Sequence, residues 1–135
     1  MKILNALRYV ADEFIAKERG YIINVRGPRE IVERRAAIVQ VAAEHVVFDN
    51  RRAGLTIHLP FDPGSGEFQH LVEFIGTGLE EQCAEYKYQG IPCCALRVGS
   101  DIFMAERILR FILRQVYDYP SLAGFKYEVC DEGPI

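Results

Sequence analysis

Near the start of the chain, Ile3, Leu4, Leu7, Val10, Ala11, Phe14 and Ile15 recur mostly at three- and four-residue spacing. Asn5, Arg8, Asp12, Glu13 and Lys17 fill the positions between them. Side chains spaced that way stack on one side of an α-helix, so the pattern predicts an amphipathic helix with one buried face. Lys17 and Arg19 suit the negative C-terminal end of such a helix, and Gly20 is placed to close it in the left-handed conformation. Tyr21-Ile22-Ile23-Asn24-Val25 then reads as a strand, ended by Gly27-Pro28.

Two templates compete between Pro28 and His45. Pro28 at a first helical position, with Val32, Ala36, Val39, Ala43 and Val46 at helical spacing, supports a helix. The β-branched run Ala37-Ile38-Val39-Gln40-Val41 supports a strand. The strand is preferred for Ala37 to Val41, after a helical turn, with the helix kept as the alternative. Next, Val46-Val47-Phe48-Asp49 and Leu55-Thr56-Ile57-His58-Leu59 flank Asn50-Arg51-Arg52-Ala53-Gly54, which predicts a hairpin around a Gly-containing loop. Leu55, Ile57 and Leu59 alternate with Thr56 and His58, so the second of these strands has one apolar and one polar face.

Pro60 to Gly66 reads as a loop. Phe68, Leu71, Val72, Ile75 and Leu79 share one face of a following helix, which Gly76-Thr77-Gly78 interrupts or kinks. Ile91-Pro92-Cys93-Cys94-Ala95-Leu96-Arg97-Val98 is a buried strand with Pro near its start, where it is tolerated. The last helix is capped by Ser100 or Asp101, carries Ile102, Ala105, Leu109, Ile112, Val116 and Tyr119 as its seam, and stops at Pro120. Phe125 to Val129 alternates as a terminal strand, leaving Cys130 to Ile135 as a loose tail. The expected class is α+β, an antiparallel sheet of about five strands packed against two or three helices, one layer on the other. With no linker or repeat in view, 1–135 is read as one domain.

Composition narrows the classes. At 135 residues, 50% hydrophobic and 26% charged, the chain can bury a core without metals or disulfides and is not compositionally disordered. No apolar run is long enough to span a bilayer. Arg8, Asp12 and Glu13 interrupt any secretory leader, so the expected compartment is the cytoplasm. There, Cys83, Cys93, Cys94 and Cys130 stay reduced and behave as small core residues. The net charge of −3 gives no strong signal of a partner, but its distribution is uneven. No Lys or Arg falls between Ala53 and Tyr86, where Asp62, Glu67, Glu73, Glu80, Glu81 and Glu85 lie. Arg26, Arg29, Arg34, Arg35, Arg51 and Arg52 crowd the stretch before it, and guanidinium groups suit interfaces and paired carboxylates. The split fits either two elements that pair within the fold or a surface for a partner.

Candidate chemistry is sparse. Cys93-Cys94 lacks the neighbouring cation, His or helix end that would activate a thiol, and no CxxC pair occurs. His45, His58 and His70 are too widely spaced to predict a zinc site, so no metal or cofactor is expected. Gly64-Ser65-Gly66 running into a helix N-terminus is the best small-ligand feature, because exposed N–H groups and the positive dipole end attract anions. It lacks the following Lys of a phosphate loop, and Glu67 already occupies the first turn. With the two nearby histidines, the candidate ligand-binding residues are Ser65, Gly66, His58 and His70. Arg107, Arg110 and Arg114 share a helix face, but the acidic balance and the Glu106–Arg110 spacing favour an ordinary surface stripe over nucleic-acid binding. Tyr86, Tyr88, Tyr117, Tyr119 and Tyr127 are residues enriched where one chain covers another. No catalytic constellation is visible.

The order helix, antiparallel strands, helix, strand, helix resembles the small acidic chaperones of bacterial secretion systems and their cytosolic relatives. The resemblance covers element order alone, departs in the terminal strand, and carries over no residue. The sequence reading is therefore a non-catalytic, chaperone-like interaction module that forms a homodimer or holds a protein partner, without a membrane. The alternative is a small-ligand domain or enzyme with a site near Pro63 to Glu67 and His58 or His70.

Overall fold

The computed structural model of the chain describes residues 2–17, 19–26, 39–46, 49–59, 61, 64–76, 82–88, 90–116 and 121–134. Its architecture is α+β, as the periodicities require. Helix α1 (Ile3–Lys17) presents Ile3, Ala6, Leu7, Val10 and Phe14 as its buried stripe. Helix α2 (Gly66–Ile75) buries Phe68 and Leu71, and α3 (Ile102–Phe111) buries Ala105, Ile108 and Leu109 before running on as a wider π-type turn over Ile112–Val116.

Strands β1 (Arg19–Arg26), β2 (Val39–Val46), β3 (Asp49–Leu59), β4 (Cys83–Tyr88), β5 (Ile91–Gly99) and β6 (Lys126–Pro134) form one six-stranded sheet in the order β4-β5-β3-β2-β1-β6. Every neighbouring pair is antiparallel. The first three strands form a meander. After α2 the chain adds the β4–β5 hairpin beyond β3, and after α3 it returns to the far edge as β6, beside β1.

One face of the sheet makes the core. Tyr21, Ile23 and Val25 of β1, Leu55, Ile57 and Leu59 of β3, and Cys94 and Leu96 of β5 join the buried residues of the helices in one cluster. Each fully buried Leu, Ile or Phe contributes roughly 1.5–3 kcal/mol relative to exposure, so this cluster is what makes the sheet and helices one body. The alternating residues Ile22, Asn24, Thr56, His58, Ala95 and Arg97 fall on the second face.

Several expectations change on folding. Gly20 does not close α1. It lies in β1 opposite Gly133, because the chain enters the sheet directly after the helix. Val39–Val46 is strand, which matches the strand preferred for Val39 to Val41 and carries it on to Val46, while Ala37 and Ile38 lie outside the described residues. Val46 of β2 lies opposite Asp49 of β3, Val47 and Phe48 lie outside the described residues, and Asn50 to Gly54, expected as the loop, belong to β3, with Gly54 opposite Glu44 and Ala53 opposite His45. Pairing to a strand already in the sheet outweighs the turn preference of Asn and Gly there. Strand β4 was not expected, since its sequence Cys-Ala-Glu-Tyr-Lys-Tyr has no clean apolar face. Cys130 to Pro134, expected as a tail, continue β6 against β1. Gly76 ends α2 rather than kinking it. It adopts φ 101° and donates its N–H to the Val72 carbonyl at 2.7 Å, a conformation that favours glycine. The expectations for Thr77, Gly78, Leu79, Tyr117, Tyr119 and Pro120 lie outside the described residues.

Candidate functional site

Two short helices build the most distinctive surface. Ser65 starts α2 by accepting the Phe68 N–H on its hydroxyl at 3.2 Å, and Asp101 starts α3 by accepting the N–H groups of Phe103 and Met104 at 3.0 and 3.1 Å. Each cap contributes about 1 kcal/mol and sets the helix phase. With Phe68 and Leu71 turned inward, the same helix turns His70 and Phe74, one turn apart, outward. On α3 and the π-type turn that continues it, the inward seam likewise leaves Phe103, Arg107, Arg110 and Arg114 exposed.

Of these outward groups, His70, Phe74 and Arg107 meet around Phe111 between the helices. The Phe74 and Phe111 rings stack with centroids 4.0 Å apart and planes 8° from parallel. His70 meets Phe111 edge-on at 5.4 Å, and the Arg107 guanidinium sits 5.7 Å from the Phe74 centroid. A cation over an aromatic face at an exposed site contributes about 0.5–1 kcal/mol. Glu106 faces Arg110 at 3.8 Å, which leaves Arg107 directed to the ring. Phe74 is 41% exposed and Phe103 56%, although apolar packing inside the core was available to other residues of the same helices. The result is a surface of aromatic rings held in place by an arginine, the side-chain types enriched at protein interfaces.

The second face of the sheet carries polar groups. His58 Nδ1 lies 3.0 Å from the Tyr86 hydroxyl, and the two rings meet edge-on at 5.8 Å. Burial, and next Cys93 and Cys94, push the Tyr86 hydroxyl above the usual tyrosine range. Further along, Asn24 Nδ2 donates to Cys130 Sγ at 3.4 Å, and that thiol faces Glu128 Oε1 at 3.6 Å. Burial and the Glu128 carboxylate raise the Cys130 thiol. On the core side, the hydrogen bond with Cys83, then burial, holds Cys94 far above the ordinary thiol range. A nucleophilic cysteine requires the opposite shift, toward the thiolate.

The four sequence-designated ligand residues do not surround one space. Ser65, Gly66 and His70 lie on α2, where the Ser65 hydroxyl is engaged as the cap and His70 packs on Phe111. A methyl group added at Gly66 would meet nothing within 4 Å, so no backbone approaches there closely enough to demand glycine. His58 stands on the other side of the sheet with Tyr86. His45 lies in β2, outside the residues with described side chains. Among the described residues, no three His, Cys, Asp or Glu side chains are grouped as a metal set. No described helix is long and apolar enough to cross a membrane.

Phe74, Phe103, Phe111 and Tyr86 were not singled out as interface residues from the sequence, except Tyr86 among the tyrosines. A signal existed. Phe74 and Phe103 sit off the apolar seams of their helices, where a polar side chain is the ordinary choice. Comparison with protein-family models, with curated proteins and with solved structures found no match.

Proposed function

We propose that this chain is a non-catalytic protein-interaction module that self-associates and holds a protein partner. The observation that carries the reading is the aromatic surface between α2 and α3, where Phe74 and Phe103 remain exposed beside the ring-bound Arg107. Rings of this kind bury large area on binding at small conformational cost, and a guanidinium already held over a ring is pre-organised. The partner suited to it offers apolar side chains with a carboxylate within reach of Arg107. The alternative, a small-ligand site built by Ser65, Gly66, His58 and His70, lacks a comparable observation, since those residues lie on two sides of the sheet.

The test is native mass spectrometry and cross-linking of the gently purified protein, together with the variant Phe74→Ser/Phe103→Ser. Both positions are exposed, so the variant should keep its melting temperature while losing stoichiometric co-purification of a partner. Monomer alone at high concentration, with no protein retained and only a small-molecule adduct, would sink the reading in favour of the ligand-binding one.

A further inference from the structure

The β4 edge of the sheet is self-complementary, and we infer that two copies of this chain join there by antiparallel β4–β4 pairing, with Tyr86 on the two-fold axis. The inference rests on the self-association proposed above and specifies its surface and register.

β4 ends the sheet beyond β5, and Ala84, Glu85, Tyr86 and Lys87 are all exposed. Among the described residues its one strand neighbour is β5, in the register Glu85 opposite Cys94, Tyr86 opposite Cys93 and Lys87 opposite Pro92. Pro92 has no N–H to exchange, so Lys87–Pro92 is a non-hydrogen-bonded pair. In an antiparallel ladder these pairs alternate, which turns the backbone N–H and C=O groups of Cys83, Glu85 and Lys87 outward. Those of Glu85 and Lys87 meet no second strand among the described residues, and such an edge offers another strand a template.

A symmetric partner strand must set these odd-numbered residues opposite one another, and only a few registers do so. One places Glu85 opposite Glu85 of the second copy. Another places Lys87 opposite Lys87. The register between them places Glu85 opposite Lys87 of the second copy, and Lys87 opposite Glu85, in two hydrogen-bonded pairs. It also sets Tyr86 opposite Tyr86 in the close non-hydrogen-bonded position. Opposite charges and paired aromatics directly across an antiparallel ladder are favourable, and like charges there are unfavourable. Of the registers that pair these residues, only this one sets opposite charges directly across from each other, and the exposed Tyr86 ring, 38% accessible, fills its centre. The two sheets become one continuous sheet.

Sedimentation analysis of two single variants tests this. Glu85→Lys alone and Lys87→Glu alone each make every cross-strand pair at this site like-charged. Each should dimerise about tenfold more weakly than the wild type, or worse, while keeping the wild-type circular dichroism spectrum. An equimolar mixture of the two variants should recover the dimer, because each supplies the charges the other lacks. Loss of fold does not produce such mutual rescue. Wild-type-like dimers of each variant alone, or a mixture that stays monomeric, would overturn the β4 inference while leaving self-association through another surface standing. A wild type that is monomeric at every concentration would overturn self-association itself.

Discussion

The sheet has two edges, and they are built in opposite ways. At the β6 edge the strand is rooted in the core: Val129 lies opposite Ile23 and Tyr127 opposite Val25, and both β6 side chains pack on the buried cluster. Its exposed positions carry Glu128, Asp131 and Glu132 against one cation, Lys126. The ladder is interrupted by a bulge between Gly20 and Tyr21, and the strand ends at Pro134, which has no N–H to offer. Unbalanced charge, a bulge and proline are the devices by which natural sheets discourage a further strand. The β4 edge has neither bulge nor proline. Among the described side chains of β4, Cys83 alone packs on the core, and the charges outside it are balanced as one acid and one base. Under the β4 pairing inferred above, such a sheet would stop at two copies rather than extend into a fibre, because an isologous contact uses up its own surface.

Three experiments sharpen this contrast, beginning with the largest effect. Ile23→Ala removes a side chain only 1% exposed beneath the β6 side of the sheet and should cost about 2–5 kcal/mol in urea unfolding. Cys83→Ala at the half-buried β4 side should cost about 1 kcal/mol or less. Equal losses would mean that the two edges are equally rooted. Next, a chain ending at Val129 loses the part of β6 that lies against Arg19 to Ile22 and uncovers Tyr21, now 6% exposed. A destabilisation of roughly 2 kcal/mol is expected from the lost strand hydrogen bonds and burial, and thermal melting reads it. An unchanged melting temperature would restore the loose tail.

The smallest effect concerns the thiols beside each edge. Cys94, wholly buried next to β4, should resist alkylation until the protein unfolds, whereas the half-buried Cys130 of β6 should react in the native state. Because the folded Cys94 thiol is raised, the unfolded chain loses that proton first as pH rises. Its contribution to stability is therefore complete below about pH 8.5, the unfolded thiol value, and is lost progressively above it. Urea unfolding at pH 7 and pH 10 should show the decline, and a Cys94→Ala variant should show less of it. Equal declines in the two proteins would remove Cys94 as its source.

Local pattern made much of this fold readable. The α1 stripe, the seam of α3 with its Asp101 cap, and the alternation of Leu55, Ile57 and Leu59 each follow from spacing alone, since burial requires one face of each element to be apolar. Where the reading departed from the structure, the deciding partner was remote in sequence. Asn50 to Gly54 carry turn residues but pair with β2, and Cys130 to Pro134 look like a polar tail but meet β1 more than a hundred positions earlier. The candidate site divides the same way. Ser65 and His70 are conspicuous in sequence by residue type, yet one is a helix cap and the other packs on Phe111. The Phe74–Phe111–Arg107 contact joins two helices, and no spacing rule connects them.

By itself, then, the sequence determined the fold class and the apolar face of each helix and of the principal strands, because those depend on periodicity within one element. Only the tertiary structure decided the strand order, and with it the identity of the two edges. It also decided that His58 and His70 stand on different sides of the sheet and that exposed phenylalanines meet an arginine. Those outcomes depend on which elements become neighbours. Packing of the whole cluster selects the neighbours, and no single element's pattern contains that choice.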